Sequence, residues 1–135
     1  MENPAGKSAF GLDPNIAAGL AYIPVCFCHL IVSIAIIATD KTNKLARFHA
    51  FQSLLLDGVL IVGYIVCLIV IAILWGIAAA LNAPAIGFLS FLVYIVFLLF
   101  ALGAVVGLII ACIKAFTGEV FKLPIIGGMA DKWSN

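Results

Sequence analysis

The stretch AAALNAPAIG at residues 78–87 decides the fold, because it interrupts a sequence that is apolar on both sides. It contains Asn82 and Pro84, a pair that breaks helices, since proline has no amide hydrogen to donate to the preceding turn. The chain is apolar over about residues 46–81 before this pair and over about residues 85–116 after it. We therefore predict two long helices, the second and third of the chain, that form an antiparallel hairpin.

The composition of the whole chain is typical of a membrane protein. Of its 135 residues, 66% are hydrophobic and 10% are charged, and the mean hydropathy is +1.31, whereas soluble domains carry about 25% charged residues. The formal charge of +1, with no dense basic block, argues against a nucleic-acid partner. We predict an all-α integral membrane protein whose single transmembrane domain covers residues 1–135.

A further apolar stretch precedes the hairpin, over about residues 15–38. At ~1.5 Å per residue it is long enough to cross a hydrocarbon core of ~30 Å. It also exceeds the ~7–15 apolar residues of a secretory signal, so we expect it to remain in the mature protein. The sequence thus predicts a three-helix transmembrane bundle, followed by a cytoplasmic tail at residues 117–135.

The predicted second helix is too long to stand upright in the hydrocarbon core, because a continuous helix over that stretch would measure roughly 50 Å. Its polar start should therefore emerge along the interface. A break near Gly58 or Gly63 is the alternative that the sequence leaves open.

The basic residues predict an orientation. With three crossings, Lys7 lies on one side of the membrane and the other six basic residues lie opposite; these are Lys41, Lys44, Arg47, Lys114, Lys122 and Lys132. Because basic residues concentrate on the cytoplasmic side, the first loop and the C-terminus should be cytoplasmic and the N-terminus outside.

Polar residues crowd the start of the second helix, in KLARFHAFQSLLLDGVL at residues 44–60. His49, Ser53 and Asp57 recur every four residues and so lie on one helical face. The hairpin would bring Asp57 within about one turn of Lys114, and we predict that Asp57 accepts a hydrogen bond from Lys114 or, alternatively, from His49 through Ser53. We interpret these residues as polar contacts at the cytoplasmic end of the bundle, with a proton or ion path as the functional alternative; the set is Asn43, Arg47, His49, Gln52, Ser53, Asp57 and Lys114.

Small residues form two stripes at a spacing of four, which lets helix backbones approach closely in a membrane. The stripe of the third helix is Gly103, Gly107 and Ala111, and that of the second helix is Ala72, Gly76 and Ala80. Packing within the bundle and homodimerisation through the third helix are both compatible with this pattern.

The sequence offers little reactive chemistry. The four cysteines, Cys26, Cys28, Cys67 and Cys112, lie in apolar stretches, where a thiol behaves as a small hydrophobe. In CFCH at residues 26–29 the two cysteines point about 200° apart on a helix, so we favour a buried, hydrogen-bonded His29 over a metal ligand. No nucleophile with a base and no phosphate-binding loop is present. We expect neither enzymatic activity, nor a metal, nor a cofactor.

Two stretches, KTNKLARFHAFQSLLL at residues 41–56 and GEVFKLPIIGGMA at residues 118–130, resemble a family of small prokaryotic membrane proteins. That family is related to the chloroplast inner-envelope import component and also contains magnetosome membrane proteins. The resemblance is carried by Asn43, Arg47, Phe48, His49 and Gln52, and in the tail by Pro124 and Gly127. It implies a helical membrane protein without known catalytic residues. The chloroplast relatives are four-helix translocon subunits, whereas the magnetosome relatives imply a role in organising a membrane surface or compartment.

Together these observations predict a non-enzymatic, multi-pass accessory or scaffold protein of the prokaryotic cytoplasmic membrane. Its cytoplasmic face, made by residues 39–53 and the last eighteen or so, would bind another membrane protein or lipid headgroups. Self-association is a further possibility for the partner. The alternative function is a channel or a protein-translocation subunit.

Overall fold

The computed structural model describes residues 7–8, 11–23 and 28–135. These residues form five α-helices and confirm the all-α class; the helices are α1 (Pro14–Leu20), α2 (Cys28–Thr39), α3 (Lys44–Ala80), α4 (Pro84–Phe116) and α5 (Ile126–Ser134). The chain divides into two compact units. We call residues 1–57 with 106–135 the polar unit and residues 58–105 the hairpin unit.

The hairpin unit turns where the sequence predicts. Asn82 adopts the left-handed conformation, with φ of 49°, directly after the end of α3. The amide of Ala83 donates to the carbonyl of Ala78 at 2.9 Å and that of Asn82 to the carbonyl of Ala79 at 3.3 Å. This pair of bonds is the Schellman arrangement, which satisfies carbonyls at a helix end. Pro84 then begins α4, where a missing amide hydrogen costs nothing.

The two long apolar helices predicted from the sequence are confirmed. α3 has 37 residues and α4 has 33, and each is long and apolar enough to cross a membrane. Both begin and end within two residues of the bounds expected from the sequence. The hairpin unit exposes large apolar side chains over much of its length, as lipid contact requires; among them are Ile61, Val62, Trp75, Phe88, Phe91 and Leu99.

The helix predicted over residues 15–38 is not continuous. α1 ends at Leu20, residues 21–23 are not helical, and α2 begins at Cys28. Ile23 precedes Pro24, and the residue before a proline is disfavoured in the helical conformation. The predicted count of three helices is therefore replaced by five, of which two could span a membrane in the described part of the chain. Pro24 and Cys26 lie outside the described residues.

α1 and α2 lie side by side in opposite directions within the polar unit. The hydroxyl of Ser33 donates to the carbonyl of Ala21 at 3.4 Å. Further along the pair, Ala17 of α1 and Ile36 of α2 are buried in one apolar cluster. Ser33 thus contacts Ala21, and Ile36, one turn later in α2, shares a cluster with Ala17, one turn earlier in α1, so the two helices run in opposite directions. At ~1.5 Å per residue, the 12-residue α2 is only about 18 Å long.

The tail contains a helix that the sequence analysis did not predict. Residues 119–123 are not helical, a turn follows at Pro124 and Ile125, and α5 then runs from Ile126 to Ser134. Gly127 and Gly128 are poor helix formers. Packing compensates for them, because one face of α5 is buried; its buried residues are Ile126, Gly127, Ala130 and Ser134.

Candidate functional site: a buried polar network

The loop before α3 is organised by two short polar side chains. Oδ1 of Asp40 accepts hydrogen bonds from the amides of Thr42, at 3.4 Å, and Asn43, at 3.0 Å. Oδ1 of Asn43 accepts from the amide of Ala46 at 3.2 Å. Asn43 is therefore the N-cap of α3, and it satisfies one of the amides that a helix start leaves without a partner. Within the predicted polar cluster, Asn43 thus caps the start of α3.

Three fully buried polar side chains meet in the polar unit. Nε2 of Gln52 donates to the hydroxyl of Tyr22 at 2.9 Å, and this hydroxyl lies 3.1 Å from Nδ1 of His49. All three residues are 0% exposed. The rings of Tyr22 and His49 also pack edge to face, with centroids 5.5 Å apart. The sequence places His49 and Gln52 together on α3, and the structure adds Tyr22, which lies just after the end of α1.

His49 and Gln52 also bind the backbone of the tail. Nε2 of His49 lies 3.2 Å from the carbonyl oxygen of Glu119. Nε2 of Gln52 donates to the carbonyl of Phe121 at 3.0 Å, and Oε1 of Gln52 accepts from the amide of Leu123 at 3.1 Å. Both amide hydrogens and the oxygen of Gln52 are thus used. We call this set the tail-docking network; it comprises Tyr22, His49, Gln52 and the backbone groups of Glu119, Phe121 and Leu123.

The backbone of the tail segment at residues 119–123 is hydrogen bonded to the side chains of His49 and Gln52. Residues 119–123 are in no helix or strand, and buried backbone groups outside regular structure need other hydrogen-bond partners. Glu119, Phe121 and Leu123 alternate along the chain. In an extended segment, alternate residues direct their backbone groups to the same edge. The side chains of α3 therefore bind this edge in place of a neighbouring strand.

The hydrogen positions in the network follow from the partners. The Glu119 carbonyl can only accept, so Nε2 of His49 must carry a hydrogen. In the neutral ring Nδ1 is then an acceptor, and the Tyr22 hydroxyl donates to it. That hydroxyl in turn accepts from Gln52. The hydrogen position on each side chain of the network is therefore set by the hydrogen bond that its neighbour makes.

Asp57 does not pair with Lys114, so that prediction is wrong. Oδ2 of Asp57 lies 3.1 Å from Nε2 of His29 on α2. Nζ of Lys114 instead donates to Oε2 of Glu119 at 2.7 Å, beyond the end of α4. The hydrogen bond and the positive charge of Lys114 hold the pKa of the Glu119 carboxyl below its ordinary value. The inward-facing, hydrogen-bonded His29 expected from the sequence is present, and Asp57 is its partner.

Arg47 and Ser53 complete the predicted polar set. Ser53 is buried. The guanidinium carbon of Arg47 lies 6.0 Å from the centre of the Phe51 ring. The Phe51 ring packs edge to face against Trp133 of α5, with centroids 6.0 Å apart. Nε of Arg47 is buried without a hydrogen-bond partner. Arg47 therefore lies beside the C-terminal helix and not in the tail-docking network.

The small-residue stripes have different surroundings along their length. A Cβ atom on Gly107 would lie 2.8 Å from Cδ2 of Leu123, and Ala111 is fully buried. A Cβ atom on Gly103 or Gly76 would have no atom within 4 Å. Ala72 and Ala80 are exposed. Among the described residues, close packing of the stripes is seen at Gly107 and Ala111, in the part of α4 that belongs to the polar unit.

The tail motif marks a close approach of the chain to itself. A Cβ atom on Gly127 would lie 2.7 Å from Cα of Lys122 and 2.8 Å from its carbonyl carbon. Backbone atoms cannot move aside as a side chain can, so only glycine fits here. The carbonyl of Pro124 accepts from the amide of Ile126 at 2.7 Å, and that of Leu123 from the amide of Gly127 at 2.9 Å. The motif therefore turns the tail from the extended segment into α5.

Metal-ligating residues do not gather in the described ranges 7–8, 11–23 and 28–135, where no three His, Cys, Asp or Glu side chains could hold an ion together. The cysteines within those ranges, Cys28, Cys67 and Cys112, are free thiols.

Comparison with known proteins identifies the family. Residues 13–130 match the magnetosome magnetite crystal formation protein family, a range that includes every residue of the tail-docking network. The chain belongs to this family. It is also 33% identical over 132 residues to a UPF0132 membrane protein of Methanocaldococcus jannaschii, covering 96% of both chains. No solved structure matches the chain.

These findings support part of the sequence-based assignment. The link to magnetosome membrane proteins is confirmed, and the curated relative and the two apolar helices indicate a membrane location. The relationship to the chloroplast import component stays a prediction.

Proposed function

We propose that this protein is a non-enzymatic membrane scaffold, in which α3 and α4 anchor the chain and the polar unit binds another membrane protein. The observation that supports this most directly is the use of Gln52, whose amide groups are all bonded to Tyr22 and to the tail backbone. Side chains that could have performed chemistry instead hold α3 and the tail in one arrangement. A rigid surface made from several segments of the chain is what a scaffold needs to hold another membrane protein in position.

The proposal includes a topology that differs from the one predicted from the sequence. Because α1 and α2 are antiparallel, we propose that the start of α1 and the end of α2 lie on the same side of the membrane. α3 and α4 then make the two crossings. The residues before α1, the loop at 40–43 and the tail all lie in the cytoplasm, which agrees with the basic residues they carry.

Single cysteines introduced into a variant without its native cysteines test this topology by their reaction with a labelling reagent. Single cysteines at Lys7, Thr42 and Lys132, all exposed, should react with an impermeant reagent only after the membrane is opened. A cysteine at Ala85, at the hairpin turn, should react in sealed cells. Labelling of Lys7 in sealed cells would restore the three-span arrangement with the N-terminus outside.

Crosslinking in native membranes tests the scaffold role itself. We expect another membrane protein to co-purify in fixed stoichiometry with the wild-type chain. Gln52→Leu, which frees the tail from α3, should lose that partner, whereas a substitution at exposed Phe88 of the hairpin unit should retain it. Absence of a stoichiometric partner from the wild-type sample would contradict the proposal.

A channel or translocation subunit is the second candidate, and the pair of His29 and Asp57 is the observation that favours it. Nδ1 of His29 is buried without a hydrogen-bond partner, and Asp57 is partly buried. Ionisable groups inside membrane helices often mark transport paths. Ion flux into liposomes holding purified protein, abolished by Asp57→Asn, would establish this alternative. The scaffold proposal expects no flux.

A further inference from the structure

The C-terminal helix carries an apolar stripe on its outer face. Ile125, Met129 and Trp133 follow each other at a spacing of four and are 88%, 41% and 47% exposed. Met129 and Trp133, spaced by four within α5, lie one above the other, and Ile125 directly precedes the helix. The opposite face of α5 is buried in the polar unit. The helix thus has two apolar faces, and the outer one remains largely exposed apart from the contact of Trp133 with Phe51.

The backbone conformation of Ile125 is unusual for an apolar, β-branched residue. Its φ is 66°, a region that β-branched residues rarely adopt. This residue is also the most exposed of the large apolar side chains in the described chain. A strained conformation that directs an apolar side chain outward is expected where an apolar environment outside the chain receives it.

Basic residues border the tryptophan end of the stripe. Lys132 is the neighbour of Trp133 and is exposed. Nζ of Lys44 donates to Oδ1 of Asn135 at 3.1 Å, at the end of α5. The guanidinium of Arg47 lies over the ring of Phe51, which packs against Trp133 of α5, and the Nε of Arg47 is buried without a partner. Lys44 and Lys132 therefore lie at the tryptophan end of the stripe, and Arg47 is connected to that end through Phe51.

We propose that α5 is a lipid-binding helix. Its stripe enters the boundary between acyl chains and headgroups, and Lys44, Arg47 and Lys132 bind the phosphates of anionic phospholipids. Tryptophan is enriched at this boundary, and basic residues are attracted to anionic headgroups. The bilayer is the occupant because it already surrounds a chain with two spanning helices, so binding needs no further molecule. This inference deepens the proposed scaffold, since it fixes the tail of the same surface to the membrane.

The charge of Lys122 provides a matched control. Its Nζ donates to Oδ2 of Asp131 at 2.7 Å, so a carboxylate of α5 already neutralises it. Removing this lysine should therefore change lipid preference much less than removing Arg47 or Lys132, for which the described residues show no carboxylate partner.

Fluorescence of Trp133 tests the proposal directly. The full chain carries Trp75→Phe, so that Trp133 is the single tryptophan, and is placed in nanodiscs of phosphatidylcholine with or without phosphatidylglycerol. Brominated forms of either lipid quench a tryptophan that they touch. We expect quenching by both lipids, with a preference for brominated phosphatidylglycerol. Each basic residue removed should weaken that preference about five-fold, which corresponds to ~1 kcal/mol per basic residue near an anionic surface.

The variants separate the possible outcomes. Arg47→Gln with Lys132→Gln should lose the preference, whereas Lys122→Gln should keep it. Met129→Asp should reduce quenching by both lipids, because it places a carboxylate in the stripe. Quenching of Trp133 by aqueous iodide but not by brominated lipid would overturn the proposal, as would an unchanged preference in the double variant. Because purified protein is used, these results do not depend on whether a scaffold partner exists.

Discussion

Asp57 of α3 and His29 of α2 form a partly buried pair, with 3.1 Å between Oδ2 and Nε2. The pair joins residues that are 28 positions apart and fixes the start of α2 against α3 within the polar unit. Breaking such a pair from one side leaves a polar group without its partner, whereas removing both sides does not.

Asp57→Ala should therefore lower the free energy of unfolding in detergent by about 1–3 kcal/mol, since it strands Nε2 of His29. The double variant with His29→Ala should be more stable than the sum of the two single effects predicts, by roughly 0.5–3 kcal/mol. Thermal or denaturant unfolding of the four proteins measures this coupling. Lys114→Met is the control: its effect should simply add to that of Asp57→Ala, because Lys114 pairs with Glu119.

Gln52→Leu should detach the tail from α3, because it removes the acceptor of the Leu123 amide and the donor to the Phe121 carbonyl. Each buried group left without a partner costs about 1–3 kcal/mol. Hydrogen exchange of the Leu123 amide should accelerate. Tyr22→Phe keeps the ring and removes only the hydroxyl, so this amide should remain protected there. Equal protection in the two variants would show that Gln52 does not hold the tail.

Gly127→Ala should destabilise the tail, because its Cβ would lie 2.7 Å from Cα of Lys122. A clash with backbone costs on the order of 1–3 kcal/mol. Gly128→Ala is the matched control, since a Cβ at that position meets nothing within 4 Å and alanine favours a helix by up to ~1 kcal/mol over glycine. The two neighbouring changes should thus shift the melting temperature in opposite directions. A shift of the same sign in both variants would contradict the close approach.

Gly107→Leu should destabilise the polar unit by roughly 1–3 kcal/mol, because Leu123 occupies the space that the new side chain needs. Gly103→Leu should leave the melting temperature nearly unchanged, since nothing lies within 4 Å of that position. Size-exclusion chromatography with light scattering on both variants also tests self-association. A dimer that only Gly103→Leu abolishes would assign the outer part of the stripe to contact between chains.

The hairpin could be predicted because its signal is local. Asn82 and Pro84 determine the turn by their own backbone preferences, and the apolar runs on both sides need no further information. The same reasoning fails over residues 15–38, where an apolar run of sufficient length predicts one continuous helix and the structure has two. Pro24 was the available signal, since it disfavours helix at the residue before it.

The polar network was only partly predictable, because its partners come from distant segments. The spacing of His49 and Asp57 placed them on one face, but a spacing cannot say which other segment faces them. Tyr22 lies within an apolar run, so nothing in the sequence marks it as a polar partner. Every residue carries backbone amide and carbonyl groups, so residue types do not indicate that those at residues 119–123 bind α3. α5 could have been found from the spacing of Ile125, Met129 and Trp133, although Pro124 and two glycines argue locally against a helix.

During translation, α3 is made well before the tail that its side chains bind. His49 and Gln52 are made about 70 residues before the backbone groups that they bind. At ~5–20 residues per second the ribosome takes roughly 4–14 s to reach those groups. During that interval the two side chains need other partners, which water at the membrane surface or the insertion machinery can supply. The start of α3 is therefore expected to complete its folding only after both spanning helices have emerged.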